Sequence, residues 1–189
     1  MRQFIFGTML FIGILAAAEC GAAPVVDFEN GKIDGSQIYH DRESGNPPRP
    51  EIAREDVISG ECALKISLAG CRKYQGFHFH RFPSMPENAV AVSFLMKPLY
   101  GPPPVALALG EVERRYAAPV VTGSCSLKIK GNDWQKITIP LDQLQINRKE
   151  MRNLKFVAKP GTLYLFTLYG AVSDQPSAFL LDDLAWELE

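Results

Sequence analysis

Residues 179–189 alternate as a strand must, yet they hold two adjacent acids, Asp182 and Asp183. On the two-residue period of a β-strand, Leu180, Asp182, Leu184, Trp186 and Leu188 share one face, which puts a carboxylate in an apolar row. A bare carboxylate is costly there. It must be compensated by an Arg or Lys, by several backbone N–H groups or by a metal ion, or else be protonated. Near the other end of the chain, Val25-Val26-Asp27-Phe28-Glu29-Asn30-Gly31 reads as a short acid-bearing strand running into an Asn-Gly turn. Closing a β-sandwich commonly brings first and last strands together. The expectation is a first-strand acid and a last-strand acid around one hard cation, calcium by its preference for oxygen ligands.

The chain between these ends is a string of short β runs separated by turn residues. Residues 32–50 are polar and rich in Gly and Pro, and read as a long loop. Residues 52–57 form a strand. In residues 62–68, Cys62, Leu64, Ile66 and Leu68 alternate with outward Lys65 and Ser67. Residues 76–82, 89–96 and 105–109 follow, the last two flanking a Pro-rich turn at 98–104. Residues 125–130 and 134–139 read as a hairpin through Gly131-Asn132-Asp133, residues that tolerate left-handed backbone. Residues 154–158 and 163–169 precede the terminal strand, and helical turns are expected only near 141–144 and 149–152. This many strands without βα alternation predict an all-β, two-sheet antiparallel β-sandwich of the jelly-roll kind.

Composition excludes several classes. A chain of 189 residues, 47% hydrophobic and 22% charged, is one ordinary globular domain. A formal charge of −1, with no basic run longer than Arg114-Arg115, gives no attraction for nucleic acid. The glycines form no phosphate loop. Residues 1–22 read as a secretory signal: Arg2, an apolar run over 4–15, then Ala16-Ala17-Ala18 as a cleavage site. The run is shorter than the roughly 20 residues that span a bilayer. Removing residues 1–18 takes away Arg2 and no acid, so the charge falls from −1 to −2. The domain is then residues 23–189, secreted or periplasmic, with a lipid anchor on Cys20 as the minor alternative because Glu19 breaks the usual small-residue pattern. Among Cys20, Cys62, Cys71 and Cys125 no pair has metal-site or redox-motif spacing, so a structural disulfide of open pairing is the expectation.

Four segments, taken in order, resemble the secreted galactose-binding-like β-sandwich domains that include many carbohydrate-binding modules. They are residues 27–31 (Asp-Phe-Glu-Asn-Gly), 59–66 (Ser-Gly-Glu-Cys-Ala-Leu-Lys-Ile), 133–141 (Asp-Trp-Gln-Lys-Ile-Thr-Ile-Pro-Leu) and 181–184 (Leu-Asp-Asp-Leu). The resemblance implies a structural calcium held by the side chains of Glu29 and Asp182 and by backbone carbonyls around Gly60, with Asp27 and Asp183 as second choices. A hydrogen-bond or salt-bridge network around Asp182 is the alternative. It also implies a poly- or oligosaccharide partner, bound on one sheet face or on the loops at one end.

The residue types fit such a ligand, because aromatic rings stack on sugar C–H faces and directional polar groups take the hydroxyls. Tyr39, Tyr74, Tyr100, Tyr116 and Tyr169 fall in loops or at strand ends. His78 and His80 stand two apart on a strand and share a face, while Phe77 and Phe79 take the core. That spacing serves plain cross-strand packing as well as ligand contact, and a metal there lacks a third ligand. The densest set of hydrogen-bonding and aromatic side chains is His78, His80, Arg114 and Tyr116, the expected ligand contacts. Trp134 and Trp186 read as packing residues. Catalysis is not indicated: Tyr116, His80 and Arg114 make no lyase motif, and Glu111 with Glu113 no glycosidase pair of known separation. The expectation is a monomeric, non-catalytic module, with a protein-binding or adhesion domain for a surface or envelope partner as the runner-up and a jelly-roll polysaccharide lyase or hydrolase last. Mass spectrometry of the exported protein is expected to show a start beyond Ala18; an intact Met1 contradicts the signal, and a diacylglyceryl group on Cys20 replaces it with the lipoprotein.

Overall fold

Alternation decides the strands, and the strands pair into two antiparallel sheets. The computed structural model describes residues 26–40, 48–70, 74–146 and 155–189. The strands are β1 (Ser36–His40), β2 (Glu51–Ala53), β3 (Ala63–Leu68), β4 (Gln75–Phe79), β5 (Ala89–Tyr100), β6 (Ala106–Val112), β7 (Val121–Ser126), β8 (Gln135–Pro140), β9 (Gln145–Ile146), β10 (Leu163–Tyr169) and β11 (Ser177–Leu188). One sheet has six strands in the order β1-β4-β10-β6-β7-β9, and the other has five in the order β2-β3-β11-β5-β8. The expected two-sheet β-sandwich is the fold.

The core between the sheets takes the alternate residues named from sequence. Cys62, Leu64, Ile66 and Leu68 are buried from the five-stranded sheet, facing Phe77, Phe79, Leu107, Leu109, Phe166 and Leu168 from the six-stranded one. Trp186 lies among them, its ring 4.8 Å from Phe82, and its indole N–H donates to the Pro83 carbonyl at 3.2 Å. Trp134 donates to the Asp56 carbonyl at 2.9 Å, so both indoles serve packing.

The expected single apolar row of the last strand is corrected by a β-bulge. Pairing of β11 with β5 shifts register between Asp182 and Ala185, and Asp183 has a left-handed φ of 47°. A bulge inserts one extra residue, so it reverses which parity faces inward. Phe179 and Leu181 reach the core before it, and Leu184 and Trp186 after it. Leu180 belongs to the outer face, opposite Lys65 and Lys97. Just past the bulge, Leu184 and Val26 exchange both backbone hydrogen bonds, at 2.9 and 3.0 Å, so the two ends of the domain do meet.

Three further corrections follow. The segment read as a loop contains β1, the edge strand of the six-stranded sheet, which holds Gln37 and Tyr39. Strand β7 and strand β8 are no hairpin: they lie in different sheets, and the chain crosses between them with Leu127 and Ile129 packed on the core. Cys62 and Cys125 are free thiols, whereas Cys20 and Cys71 lie outside the described residues, as do the signal segment and the turn expected at 149–152. A 3-10 turn does form at Leu141–Gln143.

Glu29 locks the first segment to the turn before β3. Its carboxylate accepts from Glu61 N at 2.9 and 3.0 Å and from Cys62 N at 3.0 Å, and it lies where a Gly60 Cβ would point. Gly60 and Gly131 both have positive φ, 61° and 68°, but nothing lies within 4 Å of a Cβ at Gly131. Each Gly→Ala change therefore carries a backbone cost of about 1–2 kcal/mol, and only Gly60→Ala also displaces the Glu29 carboxylate. Chemical denaturation is expected to show Gly60→Ala clearly less stable than Gly131→Ala; equal losses contradict the lock.

Candidate functional site

Putting Phe77 and Phe79 into the core sends the alternate positions, 76, 78 and 80, to the open outer face of the six-stranded sheet. His78 and His80 stand there, beside Gln37 and Tyr39 of β1 and Leu165, Thr167 and Tyr169 of β10. Tyr39 and Tyr169 flank Gly76 in register. A Cβ at Gly76 would lie 2.7 Å from the Tyr39 hydroxyl oxygen and 2.6 Å from the Leu168 carbonyl, so only glycine lets that ring lie down on the sheet.

The result is a connected row of rings. Tyr74 lies 6.1 Å from Tyr39, which stacks on His78 at 4.1 Å with 16° between the planes. His78 lies 5.9 Å from His80, and His80 lies 5.0 Å from Tyr116. Tyr169 meets Tyr39 edge-on at 6.3 Å. The groove along this row has a volume of about 360 Å³, and its far wall is the segment between β6 and β7, where Pro119 packs over Gly110.

Burial disfavours the charged form of both imidazoles. Burial, then the neighbouring His80, depress His78 to a pKa of about 4, and burial lowers His80. His78 Nδ1 shares a hydrogen bond with Thr167 Oγ1 at 2.8 Å, and His80 Nε2 shares one with Gln37 Oε1 at 3.3 Å. Among the described residues, no Asp, Glu, Lys or Arg lines the groove. Such a surface offers ring faces and neutral polar edges, the equipment for an uncharged, hydroxyl-rich ligand.

Of the four ligand contacts expected from sequence, the fold brings His78, His80 and Tyr116 to one groove. Arg114 is exposed in the β6–β7 connection and is not part of the lining. Arg81 instead reaches this end of the row: its guanidinium donates to the Tyr116 side chain and pairs with Asp34 at 3.2 Å. Tyr39, Tyr169, Gln37 and Thr167 complete the lining. Tyr39 was legible as an aromatic, but its strand was not. Tyr100 lies at the end of β5 in the other sheet, and Glu111 is engaged by Lys159 at 3.3 Å.

The acids named as metal ligands gather at the bulge. Asp182 is completely buried; its Oδ1 accepts from Asp183 N at 2.9 Å, and its Oδ2 has no hydrogen-bond partner among the described residues. Burial first, then the charges of Asp183, Glu29 and Asp27, raise its pKa to about 7. Burial and the same neighbours raise Asp183, which Ser59 and Lys136 partly offset. Among the described residues, no three His, Cys, Asp or Glu side chains converge in metal-binding geometry.

Neither the protein-family profiles nor the curated proteins yield a match to the chain. Solved structures do. The fold is similar to the family 11 carbohydrate-binding module of the cellulosomal cellulase Lic26A-Cel5E of Clostridium thermocellum, with a TM-score of 0.67 at 13% identity over 89% of this chain and 95% of that one. It is equally similar to a family 11 module from Clostridium thermocellum in complex with a β-1,3-1,4-mixed-linked tetrasaccharide, with a TM-score of 0.65 at 14% identity over 89% of this chain and 98% of that one. The CBM22-1 xylan-binding domain of Paenibacillus barcinonensis Xyn10C aligns at a TM-score of 0.51 and 14% identity over 91% of this chain and 97% of that one. What this chain shares with carbohydrate-binding modules is thus a β-sandwich fold.

Proposed function

We propose that the protein is an exported, non-catalytic module that binds a poly- or oligosaccharide on the outer face of its six-stranded sheet. The ring row Tyr74, Tyr39, His78, His80 and Tyr116 beside a neutral groove is the observation that carries this reading. Rings of this kind stack against sugar C–H faces. Gln37 and the outward edges of the imidazoles take hydroxyl groups, and His80 and Tyr116 form the end of the row beside Arg81. The similar solved structures support the reading through their own carbohydrates: one holds a mixed-linked tetrasaccharide and another is a xylan-binding domain. Export rests on the sequence of residues 1–22, and the module is taken as a monomer.

The same reading includes a structural calcium at the bulge. The orphaned Asp182 Oδ2, pressed by three neighbouring acids, is the group a cation would satisfy, with Glu29 and the Gly60 region supplying the rest. Bound there, calcium neutralises the buried carboxylates and ties the first segment to the last strand.

The binding claim is tested on a glycan array with the mature protein, with and without chelator. Specific glycan binding is expected, with Tyr39→Ala and His78→Ala each weakening it by about tenfold, the equivalent of one stacked ring. Silence across the array contradicts the reading and favours a protein partner.

The calcium claim has a pH signature. In the folded protein without calcium Asp182 titrates near 7 rather than at its ordinary 3.8, so between those values the folded state holds a proton that the unfolded chain has lost. Stability contributed by this group is therefore present at low pH and declines as pH rises through that window, by at most about 1.4 kcal/mol per pH unit. Calcium binds the ionised form, so its thermal stabilisation is expected to be larger at pH 8 than at pH 5 and to be mostly lost in Asp182→Asn. Melting that ignores both calcium and chelator at pH 8 contradicts the metal site.

A further inference from the structure

Tyr116 is the member of the ring row that strand alternation does not explain. It comes from the β6–β7 connection, and its backbone is left-handed, with a φ of 65°. A bulky residue rarely takes that conformation, because its Cβ crowds the following carbonyl oxygen. Such strain persists only where the surroundings hold it. The connection is closed at its base, where Val120 N donates to the Glu111 carbonyl at 2.8 Å and Pro119 packs over Gly110. A turn follows within it, Ala117 N donating to the Arg114 carbonyl at 3.1 Å. At that turn the Tyr116 ring, 60% exposed, meets His80 at 5.0 Å, and its side chain accepts from the Arg81 guanidinium.

Arg81 is itself seated by the entry to β1. Ser36 N donates to the Ile33 carbonyl at 3.0 Å, closing a turn in which Gly35 has a φ of 86°. The Gly35 carbonyl accepts from His80 N at 2.8 Å, which extends the β1–β4 ladder by one residue and brings the turn against Arg81. A Cβ at Gly35 would lie 2.7 Å from Arg81 Cγ, so any other residue there pushes the arginine stem aside. Asp34 then takes the guanidinium at 3.2 Å. Two consecutive residues thus aim one arginine, Gly35 by leaving room for its stem and Asp34 by pairing with its head. The ion pair is exposed, so it adds little to the stability of the fold. Its effect is local to the ring that Arg81 holds.

Resting on the glycan reading, we propose that Asp34, Gly35 and Arg81 form a latch that fixes the Tyr116 ring beside His80 before a glycan arrives. Tyr116 is then the sugar-stacking platform at this end of the row, and Arg81 and Asp34 are positioning residues that act through it. An exposed tyrosine on a turn has to be immobilised when a ligand binds, which weakens binding; a latched ring has already lost that freedom. Arg81 and the Tyr116 hydroxyl therefore matter to affinity only as a pair.

The first measurement uses the mature protein without any glycan. Nuclear Overhauser contacts between the His80 and Tyr116 rings are expected in the wild type and are expected to be lost in Arg81→Ala and in Tyr116→Phe, with each melting temperature within about 3 °C of the wild type. Rings that stay in contact in Arg81→Ala overturn the latch. The second is calorimetric titration with the β-1,3-1,4-mixed-linked tetrasaccharide, and with the tightest-binding glycan of the array where that is another. Arg81→Ala and Tyr116→Phe are each expected to weaken binding by about three- to tenfold, and the double variant by no more than either alone. Losses that multiply in the double variant put Arg81 on the glycan itself and overturn its positioning role, as does an Arg81→Ala protein that binds like the wild type. Wild-type protein that binds neither probe removes the glycan reading, and the ring contacts still decide whether the latch exists.

Discussion

A sandwich strand can give only alternate side chains to the core, and everything at the candidate site depends on that constraint. Strand β4 spends Phe77 and Phe79 on the interior, which leaves His78 and His80 no place except the outer face. Strand β10 divides in the same way, with Phe166 and Leu168 inside and Thr167 and Tyr169 outside. The site is the complement of the core: the packing that fixes one also fixes the other. This is why Tyr39, His78 and Tyr169 are ordered by the sheet itself, and why one glycine, Gly76, suffices to seat Tyr39 against His78.

The two ends of the chain solve a separate problem. The bulge in β11 turns the last strand over so that Leu184 and Trp186 follow Phe179 and Leu181 into the core, and it leaves two acids at the point of reversal. Asp182 is buried there beside Asp183, Glu29 and Asp27, an arrangement that disfavours charge. Glu29 is satisfied by backbone N–H groups of the Gly60 turn, whereas Asp182 keeps one oxygen unpartnered among the described residues. A site that is incomplete in this sense either holds a proton or holds a cation. The choice couples the closure of the fold to the solution around it.

Much of the fold was legible because long alternating runs leave few options. Residues 64–68 and 77–80 place their core and surface residues as the alternation requires, and His78 and His80 were separable from Phe77 and Phe79 on that ground alone. Strand β1 was not legible: among its described side chains only Ile38 lies in the core, and it sits in a polar stretch, so its pairing with β4 is what makes it a strand. The β7–β8 crossover was hidden by turn residues that serve a hairpin and a sheet change alike. The bulge was masked because Leu180 and Leu184 look equivalent in sequence. Arg114 and Arg81 both flank rings, and only the path of the β6–β7 connection distinguishes them.

Only three histidines occur in the chain, His40, His78 and His80, and two of them stand in the ring row. That makes the imidazole ring signals, followed by proton–carbon correlation spectra during titration with the tightest-binding glycan, the most direct test of the claim that this sheet face is the ligand site. The His78 and His80 signals are expected to shift together and to saturate with the affinity measured by calorimetry, and Tyr39→Ala should weaken both responses. A glycan that binds at that affinity while both ring signals stay in place would put the site elsewhere on the sandwich.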